Sequence, residues 1–193
     1  MPRVKLFDEN EVLAKAMNLF WKKGYAATSV QDLINHLGIN RASLYDTFGD
    51  KEQLFKKSFE LYRKNNIEGL KQFFDSQKNV RKGFERLFEN AIEEAVNDQD
   101  RKGCFVVNTT TELVPNDDSI AVILENNKSD FENMFFEYLQ KGKEAGQIKT
   151  DKELKSIAAL FYTLYNGLRV VSKVQPNAKN LTDTINIALS VLD

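Results

Sequence analysis

The stretch that most restricts this chain runs from Thr28 to Lys51, TSVQDLINHLGINRASLYDTFGDK. Its apolar spacing, caps and glycine allow two short helices joined by a tight turn and little else. Val30, Leu33, Ile34 and Leu37 recur at helical spacing behind Ser29, an N-cap type whose side-chain oxygen takes up a free helix N–H. Gly38 follows at once, where positive φ is cheapest, and Ile39 offers the turn an apolar plug. Asn40 is placed to cap a second helix, Arg41 to about Phe48. On it Leu44 and Phe48 face inward, which sends Arg41, Ser43, Asp46 and Thr47 outward with Tyr45 near the boundary. Short polar groups, one Arg and one Tyr on a helix surface suit a DNA major groove. The same spacing also describes an ordinary αα-hairpin with a solvated face, because helix-turn-helix spacing is permissive.

The flanking segments are helical too. Before this stretch, Asp8 and Glu11 form a capping-box-like start to a helix whose Val12, Ala16, Met17 and Phe20 make one apolar stripe. Trp21 is expected to complete that small core. After it, Asp50 caps a long periodic segment on which Leu54, Phe55, Phe59, Tyr62, Leu70 and Phe73 track one face. Asn65-Asn66 and Gly69 interrupt that face, and a glycine there weakens a helix by about 1 kcal/mol relative to Ala. Val80 to Ala95 is a clean amphipathic stripe. Ile120 to about Ala145 is a second long helix, with Asn127 where the stripe wants an apolar residue and Gly146 as its stop. Thr150 and Glu153 are spaced as a capping box for a helix carrying Leu154, Ile157, Phe161, Tyr165 and Leu168. Pro176 ends the following connection. The last helix, Leu181 to Leu192, is apolar on more than one side, and a second chain is its natural cover.

Composition fits an all-α protein. The 193 residues are 42% hydrophobic, enough to bury a real core, with few glycines and prolines. No run approaches the roughly 18 apolar residues that span a bilayer, and the N-terminus lacks the apolar region of a secretory signal, so a cytoplasmic protein is expected. A single cysteine, Cys104, agrees with a reducing compartment. Residues 1–57 carry nine Lys/Arg against seven Asp/Glu, leaving eighteen against twenty-one in the rest. This mild polarity agrees with nucleic-acid binding at the N-terminal end. The basic arm with Arg3 and Lys5 is either a frayed terminus or a DNA contact. One histidine, His36, rules out a multi-histidine metal site. No glycine-rich phosphate loop is present, so no enzyme activity, metal or cofactor is expected.

The block FWKKGYAATSVQDLINHLGINRASLYDTFGDKEQLF resembles the DNA-binding domain of the tetracycline-repressor (TetR) family of bacterial transcriptional regulators. The likeness runs without a gap from about Phe7 to Phe59. It includes the aromatic pair before Gly24-Tyr25, the Thr28 position, the Gly38-Ile39 turn, the Leu44-Tyr45 pair and the Phe48-Gly49-x-Lys51 exit. It implies an all-α chain with a helix-turn-helix domain over residues 1–50 and a ligand-binding and dimerisation domain over residues 51–193. The implied dimer is a homodimer through residues 151–192, and the implied function is repression at a palindromic operator, relieved by a small-molecule effector. By the same resemblance Arg41, Ser43, Tyr45 and Thr47 contact DNA, with Arg41 reading guanine, and Thr28 and Lys51 sit on phosphates. Asp46 departs from the family, many of whose members carry His there, so the operator cannot be copied from relatives.

For the effector, aromatic and amide placement nominates Phe88, Phe105, Asn108, Asn127, Phe131, Phe135 and Tyr165. Gly103, Cys104 and Asn108 resemble the Gly-Cys-x-x-x-Asn segment of one subgroup. Cys104, close to Arg101 and Lys102, is read either as a buried core residue or as a thiol sensitive to oxidants and electrophiles. Two alternatives stay open: a helical small-molecule-binding protein or enzyme with a vestigial DNA-binding domain, and a redox sensor acting through Cys104.

Overall fold

The computed structural model describes residues 7–174 and 177–193; the arm with Arg3 and Lys5 and the stop at Pro176 lie outside the described residues. Among the described residues the regular elements are helical: α1 (Glu9–Lys23), α2 (Val30–Leu37), α3 (Arg41–Phe48), α4 (Lys51–Ser76), α5 (Val80–Asn97), α6 (Phe105–Leu113), α7 (Asp118–Glu144), α8 (Leu154–Val171) and α9 (Ala178–Leu189).

Capping fixes the boundaries of the short helices. The Ser29 hydroxyl accepts from Asp32 N–H at 3.0 Å while the Asp32 carboxylate accepts Ser29 N–H at 2.8 Å, a reciprocal box at the start of α2. Lys23, at the end of α1, reaches the same carboxylate at 2.9 Å. The Lys23 ammonium and the Ser29 donors hold the Asp32 carboxyl well below the usual range. Asn40 Oδ1 accepts from Ser43 N–H at 2.9 Å and starts α3. Between the two helices Gly38 takes the left-handed conformation at φ 69°. At the end of α7, Gly146 at φ 67° lets Gln147 N–H reach the Gly142 carbonyl at 2.8 Å, with Ile148 buried just beyond.

The box expected at Thr150 does not form. Thr150 is buried, and its hydroxyl accepts only from Lys152 N–H at 3.3 Å. The cap of α8 is Glu153, whose carboxylate takes Lys155 N–H at 3.2 Å and Ser156 N–H at 2.8 Å. A carboxylate that bonds two free N–H groups, and also favours the positive end of the helix dipole, wins over a neutral hydroxyl three residues earlier.

Side chains gather into two cores. The C-terminal core stacks Phe74, Phe84, Phe88, Phe135 and Phe161, with α5 packed against α7, α8 and α9. The N-terminal core holds Phe20, Leu33, Leu44, Phe55 and Phe59, and it is closed by Phe105 and Val106 of α6 and Ile120 of α7. Trp21 packs against the N-terminal core as expected, its ring edge-on to Tyr62 at a centroid distance of 4.9 Å. Its indole N–H requires a partner and finds the Gly103 carbonyl at 2.9 Å.

Close approach of α5 to α7 depends on Gly142, where an added Cβ would lie 2.7 Å from Val80 Cβ. Val80 is branched and buried, so the helices must separate. Gly142→Ala is therefore expected to cost a net of about 1–2 kcal/mol despite its helix propensity, read as a fall of several degrees in Tm. Gly69→Ala meets nothing within 4 Å and is expected to be neutral or stabilising.

Candidate DNA interface and effector cleft

Leu44 and Phe48 anchor α3 to the N-terminal core, which turns Arg41, Tyr45 and Asp46 to solvent and leaves Ser43 and Thr47 half-buried. Ala42 is exposed on the same surface, a position that a search for polar groups passes over. His36 lies exposed on α2. Lys51 holds its ammonium 4.2 Å from the centroid of the Tyr25 ring. Partial burial lowers its pKa, with the Glu112 carboxylate pulling the other way. Thr28 is fully buried and its hydroxyl donates to the Gly24 carbonyl at 2.5 Å, so it shapes the α1–α2 turn from inside.

That turn is held by a residue from the middle of the chain. The Glu112 carboxylate, on the last turn of α6, accepts Tyr25 N–H at 3.1 Å and Ala26 N–H at 2.8 Å. Gly24, at φ 85°, makes room for it: a Cβ there would lie 3.1 Å from a Glu112 oxygen. At its opposite end α6 begins on Cys104, directly after Gly103, whose carbonyl accepts the Trp21 indole. Gly103 also borders a cleft of about 1260 Å³ between α1, α4, α5 and α8.

The cleft is walled by Trp21, Leu70, Phe73, Ala91 and Tyr165, with Asn65, Asn66, Arg169 and Lys173 as polar lining. The polar interruption read on α4 is thus cavity wall, and the helix runs through it unbroken. A smaller chamber of about 20 Å³ lies deeper, bordered by Cys104, Asn127, Phe131 and Tyr162. Tyr62, Asn66, Tyr165 and Arg169 line both and form the partition between them.

Of the seven residues nominated for the effector, Tyr165 reaches the cleft, and Asn127, Phe131 and Tyr165 reach the deep chamber. Phe88, Phe105 and Phe135 are packed inside the two cores and line neither space. Asn108 is engaged beside the cleft, donating to the Lys102 carbonyl at 2.8 Å and accepting from Lys173 Nζ at 2.6 Å. Asn127 accepts from Arg63 Nε at 3.2 Å, and Arg63, also buried, pairs with Glu60 at 2.8 Å. Cys104 is buried, with the Tyr62 hydroxyl 3.9 Å from its sulfur. Burial raises the pKa of the Tyr62 phenol, and nearby Cys104 adds to the shift.

The exposed apolar side chains here are Leu160, Val170 and Val171 of α8 and Ile187 of α9. The rest of the exposed side of α9 is polar, with Lys179, Asn180, Thr182, Asp183, Thr184 and Asn186, so the second apolar side expected of the last helix is reduced to Ile187. Gly167 has no other atoms within 4 Å of an added Cβ. No helix among the described residues is long and apolar enough to cross a membrane, and no group of three or more His, Cys, Asp and Glu is placed to hold a metal.

Residues 12–57 match the family described as bacterial regulatory proteins, tetR family, and residues 82–188 match the tetracyclin repressor-like C-terminal domain. An uncharacterized HTH-type transcriptional regulator, YezE of Bacillus subtilis, is 31% identical over 100% of both chains. The HTH-type transcriptional repressor ComR of Escherichia coli is 30% identical, covering 89% of this chain and 82% of its own. Among solved structures, a cysteine mutant of the TetR family transcriptional regulator CifR, complexed with 26bp double-strand operator DNA, superposes with a TM-score of 0.86 at 25% identity, over 99% of this chain and 100% of that one.

Proposed function

Since the chain belongs to the tetR family of bacterial regulatory proteins, we propose that it binds a palindromic operator as a homodimer and lets go when a small molecule fills the cleft. The observation that carries this reading is the reach of α6. The loop that leads into this nine-residue helix borders the cleft through Lys102 and Gly103, and the last turn of the helix clamps the helix-turn-helix. An effector that shifts the Gly103–Cys104 end against Trp21 also moves Glu112 against Tyr25 and Ala26. Binding energy in the cleft is thereby expressed as misplacement of α3. Linkage makes the effect mutual, so operator must weaken effector binding by the same factor.

In this reading Arg41, Ser43, Tyr45 and Thr47 meet the major groove, and Lys51 meets a phosphate. Thr28 acts by shaping the turn, or through its backbone, because its side chain is buried. The exposed apolar residues of α8, with Ile187 of α9, join two protomers, and a two-fold pair presents two α3 helices to successive major-groove faces. Repression is the sign we assign, after ComR; the regulated genes would follow from the operator.

The test is selection of genomic DNA fragments by the purified protein at near-physiological salt. One enriched palindrome is expected, and diffuse recovery without a motif would remove the operator from the reading. On that operator Arg41→Ala is expected to cost about 1–3 kcal/mol and to relax preference at one base position. A uniform loss with a shallower salt slope would move Arg41 to a phosphate.

A further inference from the structure

Among the described residues Arg169 is the one cation that lines both the cleft and the deep chamber, and its side chain is 15% exposed. Its bonds are lopsided. Nη2 donates to the Tyr165 hydroxyl at 2.5 Å and to a Glu94 oxygen at 3.2 Å, while the buried Nε has no hydrogen-bond partner. The Tyr165 ring lies under the guanidinium, 4.5 Å from its carbon, and fixes its plane. Glu94 is a loose counter-ion: its side chain is 66% exposed and it touches a single nitrogen, an arrangement that contributes little to stability. A buried guanidinium N–H left unmade is unfavourable, and nothing else in the fold uses it.

Of the other charges along this wall Arg101 is exposed to solvent, and those set deeper are engaged. Asp98 accepts Gly103 N–H at 2.7 Å and Asp100 pairs with Lys22 at 3.0 Å. Lys173 donates to Asn108 at 2.6 Å, and the Lys102 ammonium lies 4.7 Å from the centroid of the Trp21 ring. Arg169 differs: on its Nε and Nη2 edge Nε is unmade and Nη2 meets only Tyr165 and the exposed Glu94, beside an apolar stretch of the cleft wall formed by Trp21, Phe73, Leu70 and Leu87. The two parallel N–H groups on that edge match the two oxygens of a carboxylate. An apolar stretch of wall beside a convergent charged group is how a cavity orients an amphipathic ligand.

We propose that the effector is an amphipathic organic acid, with its carboxylate forked onto Arg169 Nε and Nη2 in place of Glu94 and its apolar body lying between Trp21 and Phe73. This rests on the reading of the cleft as the effector site and gives that site its ligand class. Glu94 then acts as a placeholder: it neutralises Arg169 in the free protein and swings into water when the ligand arrives.

The two members of a matched pair, 4-phenylbutyrate and the neutral 4-phenylbutyramide, test the charge alone. Trp21 is the sole tryptophan and lines the cleft, so its fluorescence reads occupancy directly. In the wild-type protein the acid is expected to bind at least about tenfold more tightly than the amide, the scale of a charge-assisted pair. Arg169→Gln should remove that ratio by weakening the acid while leaving the amide where it was. Glu94→Gln, at an exposed position that does not endanger folding, should strengthen the acid several-fold by removing its competitor. Equal binding of acid and amide in the wild type overturns the carboxylate fork and leaves a neutral-ligand cleft standing. Acid preference that survives Arg169→Gln overturns the assignment to this residue, and no response to either compound overturns the site. A separate arm titrates the acid into the operator complex: binding without release would instead retire the cleft as the regulatory site and leave the anion site intact.

Discussion

Val171→Glu is expected to yield a folded monomer that binds its operator about 10²–10⁴-fold more weakly than the wild-type protein. Val171 is 57% exposed in the isolated chain, where a surface substitution shifts stability by no more than about 0.5 kcal/mol. In a pair built on α8 and α9 the same carboxylate is buried against its own symmetry copy, without a counter-ion. Desolvating two like charges across a two-fold axis is unfavourable enough to break the contact. With the pair gone, the second recognition helix is no longer delivered at high local concentration to the second half-site. Light scattering and operator titration on one preparation read both consequences. A dimer that persists with full operator affinity would place the two-fold elsewhere on the molecule.

Glu112→Ala is the second large effect. The substitution removes the acceptor from Tyr25 N–H and Ala26 N–H together, at 3.1 and 2.8 Å, on the turn that aims α2 and α3. Ala26 is exposed and water can replace its bond, whereas Tyr25 is half-buried, so the net cost is expected near 1–2 kcal/mol. Hydrogen exchange should show the Tyr25 amide losing protection while amides in the middle of α4 keep theirs. Where an effector releases the operator, the variant should respond several-fold less, because the link from α6 to the turn is cut. Glu112→Gln keeps an acceptor without the charge and should fall between. An unchanged Tyr25 amide in the alanine variant would show that the turn holds itself.

The helix-turn-helix was legible in the sequence because local chemistry decides it. Ser29, Gly38, Asn40 and Asp50 each act within three or four residues, and the bounds of α2 and α3 follow from them. The start of α8 was misread for the same reason in reverse: Thr150 and Glu153 have the spacing of a box, but burial of Thr150 is a tertiary event that spacing does not carry. The cleft was least legible. Phe88, Phe105 and Phe135 look like pocket walls and are core, since an aromatic stripe has the same period in either role. The available signal was polar residues breaking an apolar face, Asn65 and Asn66 on α4 and Arg169 one turn beyond Tyr165 on α8. Glu112 had no such signal, because its partners lie more than eighty residues away in the chain.

The way α6 and α7 complete the N-terminal core bears on how such regulators can be recombined. Phe55 and Phe59 meet Phe105 edge-on, at centroid distances of 5.8 and 5.3 Å, so the reading head is finished by residues from the middle of the chain. Cutting the chain after α3 would strip the head of half its packing and expose its aromatic centre. A hybrid that grafts this head onto a relative's sensory half must therefore bring Phe105, Val106, Glu112 and Ile120 with it. Two junctions are needed rather than one, and a library of single-crossover chimeras should be dominated by proteins that neither fold well nor switch.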